Sequence, residues 1–168
     1  SIDGAVEPTA PTNKNDFSYQ FENNSVNIRD YQVRLMASNA HGCSTEKTDV
    51  IRVYENVTAD LQLSETGACT PMEMQYTDLS SVPANTVYRW DFGDGASSGS
   101  QEPTHVFYNT SRTNDINVTT KLRVTSPRYC TDSISKTFIV YHQPKAEFEV
   151  DQTSSCPPLE VNMKNKSM

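Results

Sequence analysis

This sequence predicts an all-β fold built from tandem β-sandwiches. Three observations point to it: apolar residues alternate every second position, turn residues recur every ten or so positions, and the chain matches itself at a spacing of 87 residues. Cys43 and Cys130 stand 87 residues apart, and so do Cys69 and Cys156. The same shift sets Leu35 on Leu122, Val53-Tyr54 on Val140-Tyr141, Ala59 on Ala146, Pro71 on Pro158 and Ser80 on Ser167. Other positions match in kind: Tyr19 and Phe21 fall on Val106 and Tyr108, Ile51 on Phe138, and Leu61 and Leu63 on Phe148 and Val150. Chance could supply one cysteine pair but not the whole ladder.

The elements follow in chain order. Tyr31, Val33, Leu35 and Ala37 alternate with polar residues, which gives a strand one apolar face. The next repeat opens at Ala59, and Met72, Met74 and Tyr76 form a second alternating run. Tyr88, Trp90 and Phe92 form a third, expected to share one face. Ile116, Val118, Thr120, Leu122 and Val124 alternate with Asn117, Thr119, Lys121 and Arg123. After a turn at Pro127 to Asp132, Ile134, Lys136, Phe138 and Val140 make the last strand. No stretch carries a helical period. A sandwich of about seven strands, of the immunoglobulin-like class, is the architecture these runs describe.

The repeat sets the domain organisation. Residues 55–141 hold one complete repeat, 1–54 the C-terminal half of a preceding one, and 142–168 the opening strands of a further one. Only about four residues separate Tyr54 from Ala59 and Tyr141 from Ala146, which predicts a semi-rigid rod. A half-sandwich would expose an apolar face and unpaired strand edges, so the expectation is an excerpt of a longer chain, or halves that complement each other between molecules.

Composition narrows the function. Hydrophobic residues make up 35 % of the 168, which suits strands with one buried face; eight Tyr, six Phe and one Trp argue against disorder. The net charge is -7 and the basic residues are scattered, so the basic stripe of a nucleic-acid binder is missing. No apolar run reaches the roughly 18–20 residues of a membrane span. Ser1 to Pro11 is polar and has no apolar signal core, so any export signal is expected upstream.

The segment Tyr88-Arg89-Trp90-Asp91-Phe92-Gly93-Asp94-Gly95, followed by Pro103-Thr104-His105 and Tyr108, resembles the signature of PKD (polycystic kidney disease) domains, which are seven-stranded immunoglobulin-like modules. Cys69-Thr70-Pro71-Met72 and Cys156-Pro157-Pro158-Leu159 resemble the turn between their first two strands, and Asn39-Ala40-His41-Gly42-Cys43 the turn before the last. In the first repeat, Asp3-Gly4 matches Asp94-Gly95. The cysteine-bearing form is similar to repeats of large secreted and surface proteins of Bacteroidetes, adhesin-like and associated with gliding motility and type IX secretion. The resemblance implies an extracellular or cell-surface location and a module without catalysis.

Each singled-out residue then has a role. Trp90 is expected to anchor the core with Tyr88 and Phe92. Asp91 and Asp94, beside Gly93 and Gly95, are expected to accept backbone N–H groups and fix a tight turn. The alternative is calcium at Asp91 and Asp94, which the resemblance implies because some PKD modules of secreted enzymes bind it; the spacing is wrong for an EF-hand loop. His41, His105 and His142 are too dispersed for a metal cluster, and His105 is expected to make a structural hydrogen bond. No catalytic or phosphate-binding motif occurs, so neither an active site nor a cofactor is expected. Asn-x-Ser/Thr triplets at Asn23, Asn56, Asn109, Asn117 and Asn165 arise easily in so polar a chain, and Asp132-Ser133-Ile134 matches a Bacteroidetes O-glycosylation pattern at Ser133.

The four cysteines, Cys43, Cys69, Cys130 and Cys156, admit three pairings. Exported chains favour disulfides, and no C-x-x-C spacing suggests metal. Topology opposes a Cys43–Cys69 bond, because two strands of about eight residues put roughly 50 Å between those turns, against about 7 Å for a disulfide. Head-to-tail stacking instead brings the first-turn cysteine of one repeat near the last-turn cysteine of the next. The expected partners are thus neighbouring repeats of the same chain, with a protein or glycan ligand or secretion-machinery components beyond them. Three functions compete: a structural or adhesive module, an accessory domain of a secreted hydrolase that engages polysaccharide or protein, and a component or cargo of the secretion machinery held by a partner.

Overall fold

The computed structural model describes residues 18–168; Asp3-Gly4, matched above to the signature turn, lies outside the described residues. Every regular element among the described residues is a strand. The chain divides into two compact units.

The first unit comprises residues to Thr58 with Ser81–Val87 and Val124–Asp132. Its framework is an antiparallel hairpin of β1 (Arg29–Ser38) and β2 (Ser44–Val53), in register from Arg29 opposite Val53 to Ser38 opposite Ser44. Phe21 packs its ring 4.8 Å from Tyr19 and 5.0 Å from Tyr31. Thr58 bridges to Ser81, which ties the chain leaving the hairpin to the 81–87 loop.

The second unit comprises Ala59–Ser80, Tyr88–Arg123 and Ser133–Met168. Its strands, some running on into the loops of the first unit, are β3 (Leu61–Leu63), β4 (Gly67–Cys69), β5 (Met72–Asp78), β6 (Val87–Asp91), β7 (Ser97–Ser98), β8 (Thr104–Phe107), β9 (Ile116–Thr125) and β10 (Thr131–Tyr141). A separate hairpin pairs β11 (Phe148–Val150) with β12 (Met163–Asn165). One sheet has the order β3-β5-β8 and the other β4-β10-β9-β6-β7. The opening strand is thus split: β3 pairs antiparallel with β5, whereas β4 crosses to the other sheet and runs parallel to β10. This division, and the facing of the two sheets, is the immunoglobulin-like sandwich.

The core lies between the sheets. Leu61, Met72, Met74 and Tyr76 point in from one side and Trp90, Leu122, Phe138 and Val140 from the other, all at most 2 % exposed. Alternation does the sorting: along β5 the side chains of Met72, Met74 and Tyr76 are buried while Glu73 and Gln75 face out. Each large apolar side chain so buried is worth about 1.5–3 kcal/mol. Equivalent positions of the hairpin are not covered: Leu35 is 57 % exposed where Leu122 is buried, and Ile51 39 % where Phe138 is buried.

One boundary and one side chain differ from the sequence reading. The turn before β10 spans Ser126 to Cys130, and the strand already begins at Thr131. Tyr88 is only half-buried beside Trp90, because its phenol bonds to Asp78; burial first, and then that carboxylate, push the phenol up to about 12.

Candidate functional site

The signature residues form one structural cluster at the end of β6. Trp90 is fully buried, its ring 4.9 Å from that of Tyr76, and its indole N–H donates to the Ser100 carbonyl at 2.8 Å. The Tyr76 hydroxyl bonds to Thr120 at 2.9 Å, and burial pushes this phenol up to about 12. A buried ring needs a partner for its polar atom, and both rings have one.

Beyond Trp90 the chain reverses. Asp91 Oδ1 accepts the Gly93 N–H at 3.0 Å, Asp94 Oδ1 accepts the Ala96 N–H at 3.0 Å, and the Phe92 N–H donates to the Ala96 carbonyl. Gly93 and Gly95 both have positive φ, 83° and 94°. Both aspartates thus accept amides of their own turn. His105, on β8, stacks on Phe92 with centroids 4.3 Å apart and bonds through Nε2 to Asp94 Oδ2 at 2.7 Å. A calcium ion at Asp91 and Asp94 would have to share Asp94 with both the turn and His105. Among the described residues, no group of three or more His, Cys, Asp or Glu gathers closely enough to hold a metal. Tyr108, the last signature residue, is 69 % exposed, and the buried ring at the end of β8 is Phe107.

The Asp94 carboxyl titrates below its ordinary value: burial opposes this, but the bonds from His105 and the Ala96 amide outweigh it. A folded pKa below the unfolded one adds stability that is present above the unfolded value and lost as pH falls through the folded value. Asp94→Asn should therefore flatten the loss of stability between neutral and acid pH, with a cost of about 1 kcal/mol at neutral pH. Urea midpoints measured from pH 7 to pH 3 check this; an unchanged pH slope would contradict it.

Two devices that the sequence reading missed recur at about the repeat spacing. Asn109 is buried; its side-chain amide donates to the carbonyls of Asn114 and Val140, and its oxygen accepts the Ser111 N–H. Asn23, also buried, donates to the carbonyls of Asn27, Val53 and Tyr54 and accepts from Ser25. Each hub ties a loop to the end of the strand by which the chain leaves. The spacing is 86 residues from Asn23 to Asn109 and 87 from Asn27 to Asn114, so the repeat gains one residue between them. Phe21 thus matches Phe107, and the match to Tyr108 is one residue out. Both asparagines open an Asn-x-Ser triplet, but so does the exposed Asn165. The engaged amides of Asn23 and Asn109 leave no room for a glycan. Asn109→Ala strands two carbonyls and an amide, for a cost of about 1–3 kcal/mol, read by urea denaturation; a change below about 0.5 kcal/mol would mean water replaces the side chain.

The second device is the cysteine turn. Asn39 Oδ1 accepts the amides of His41 and Cys43, and Ser126 Oγ those of Arg128 and Cys130; the backbone amides of Asn39 and Ser126 themselves donate to the carbonyls of Cys43 and Cys130. The left-handed position is Gly42 in one and Tyr129, φ 66° and 87 % exposed, in the other. The Arg128 guanidinium lies 5.4 Å from the Tyr54 ring centroid. Glu55, next in the chain, is buried. The field of its own amide, then the Ser126 hydroxyl and the Arg128 charge, hold it below the usual carboxylate range against the cost of burial.

All four cysteines are free thiols: Cys43, Cys69 and Cys156 are exposed and Cys130 half-buried. His142 bonds to Asp115 at 2.7 Å, apart from His105 in the chain and in its partner. Ser133 lies on β10, two residues inside its start.

No protein-family model matches the chain, and no curated protein sequence matches it. Among solved structures, the chain is similar to the PKD1 domain of the Vibrio cholerae metalloprotease PrtV, at 25 % identity over 51 % of this chain and 96 % of that one, with a TM-score of 0.41. It is also similar to the PKD1 domain of Vibrio anguillarum Epp, at 22 % identity over 53 % of this chain and 98 % of that one, again with a TM-score of 0.41.

Proposed function

We propose that this chain is a non-catalytic extracellular module of PKD type, a semi-rigid spacer or binding stretch of a large adhesin-like surface protein. The observation that carries the reading is the recurrence, at repeat spacing, of two whole hydrogen-bonded devices. The asparagine hub grips the last carbonyls of the exit strand, Val53 and Tyr54 in one unit and Val140 in the other. With about four residues to the next strand, a gripped exit leaves the connection little freedom to swing. The Asn56 amide, bonded to the Ser25 carbonyl, restrains it further. The Asp94–His105 pair has the look of part of a hydrolytic triad, but His105 is stacked on Phe92 and Asp94 is committed to its turn, which is a structural task.

The test lengthens the chain by one in-frame copy of residues 55–141 and measures small-angle scattering. Strands of eleven residues at about 3.3 Å each, plus the link, predict a maximum dimension greater by about 40 Å. A scattering profile of a flexible pair would sink the spacer reading.

A second reading, an accessory domain of a secreted hydrolase that binds polysaccharide or protein, is favoured by the exposure of Tyr108 and Tyr129. Adsorption to an insoluble polysaccharide or to collagen that Tyr108→Ala and Tyr129→Ala both weaken would support it; no adsorption would remove it.

A further inference from the structure

Within a repeat, the cysteines lie at opposite ends of one strand. Cys69 stands opposite Tyr141, the last residue of β10, and the Thr70 amide donates to the Tyr141 carbonyl. Cys130 immediately precedes Thr131, the first residue of the same strand. Eleven residues at about 3.3 Å separate them by roughly 35 Å, five times the span of a disulfide. The same holds in the hairpin, where Cys43 precedes β2 and Tyr54 follows it. A cysteine of either kind must therefore find its partner outside its own repeat.

Tyrosine identifies the partner. Tyr54 and Tyr141 are the same residue of successive repeats, 87 positions apart. Tyr141 lies over β4: a Cβ added at Gly67 would meet its hydroxyl at 3.0 Å, and Cys69 is two residues further along that strand. Tyr54 faces the other way along the chain, to the turn of the repeat that follows it, where Arg128 lies over its ring and Cys130 is two residues on. Each view shows half of one joint. Put on a single tyrosine, they bring the β4 cysteine of its own repeat and the turn cysteine of the next to the same place. Both thiols are reachable there, since Cys69 is exposed and Cys130 half-buried.

We propose that successive repeats are stapled by a disulfide between the cysteine at the Cys69 position of one repeat and the cysteine at the Cys130 position of the next. The two thiols lose two protons and two electrons as the S–S bond forms; an exported disulfide-bearing oxidant takes both and leaves as a dithiol. The bonded pair would be 148 residues apart in sequence, farther than any two cysteines of this chain. This rests on the array reading above.

Two chains test it, each refolded in a glutathione redox buffer and mapped without reduction: this chain as it stands, and the chain lengthened by one in-frame copy of residues 55–141. The first should keep four reactive thiols and form no internal bond. The second should lose two thiols to a single bond, between Cys69 of the first copy and Cys130 of the second. Cys69→Ser should abolish that bond in the first copy and leave it intact in the second. A bond between Cys43 and Cys69, Cys69 and Cys130 of one copy, or Cys130 and Cys156 would overturn the proposal. So would a lengthened chain that is folded by circular dichroism but keeps both thiols reactive. If that chain still scatters as a rod, the spacer reading survives and the staple alone is lost; if the bond forms and the scattering is that of a flexible pair, the reverse holds.

Discussion

Replacing Trp90 with alanine is expected to cost the sandwich about 3–5 kcal/mol, close to the whole stability of a domain this size. The ring is fully buried, so its removal leaves a cavity between sheets that cannot close without moving β6 against β5. Tyr76 loses a ring at 4.9 Å, and the Ser100 carbonyl loses its donor. Trp90→Phe separates these effects: it keeps most of the apolar contact but orphans the carbonyl, at about 1–3 kcal/mol. With a urea m-value of about 2 kcal/mol/M, the alanine variant should unfold some 2 M earlier than the parent. Trp90 is the sole tryptophan, so the variants are followed by circular dichroism. A midpoint shift under about 0.5 M would mean that Trp90 is not the core anchor.

The strands were legible wherever one face is buried. Met72, Met74 and Tyr76, or Val118, Thr120 and Leu122, announce themselves by alternation, and the buried Trp90 needed only its neighbours. The split of the opening strand was not legible. Leu61–Leu63 and Gly67–Cys69 are three residues each, too short to carry a period, and the crossing between sheets is set by what β5 and β10 offer as edges. Polar devices were hidden for another reason. In a chain rich in Asn, Ser and Thr, nothing in their identity separates Asn23 and Asn109, buried and fully bonded, from their many exposed counterparts. Only the geometry of three or more side-chain hydrogen-bond partners does so. The signature turn falls between these extremes: its glycines and aspartates are a local turn pattern, whereas the stacking of His105 on Phe92 depends on β8 lying beside that turn.

That turn gives the second large effect, and two neighbouring glycines supply their own control. Gly93 and Gly95 share a left-handed backbone, φ 83° and 94°, so alanine at either position costs about 1–2 kcal/mol in strain. Their surroundings differ. A Cβ at Gly95 meets nothing within 4 Å, whereas a Cβ at Gly93 would lie 2.3 Å from the Thr119 carbonyl oxygen. That oxygen is backbone, on β9 in the middle of the larger sheet, and cannot rotate away. Either β9 gives way, which disturbs Thr120 and its bond to Tyr76, or the turn lifts and Asp94 leaves His105. Overpacking of this kind adds about 1–3 kcal/mol. Gly93→Ala should therefore destabilise by about 2–5 kcal/mol and Gly95→Ala by about 1–2. Trp90 fluorescence during urea unfolding reads both, since the indole lies three residues from Gly93. The order is the decisive part. Equal costs would show that the backbone conformation alone matters and that β9 does not press on the turn. A larger cost at Gly95 would mean that the turn docks elsewhere than on Thr119.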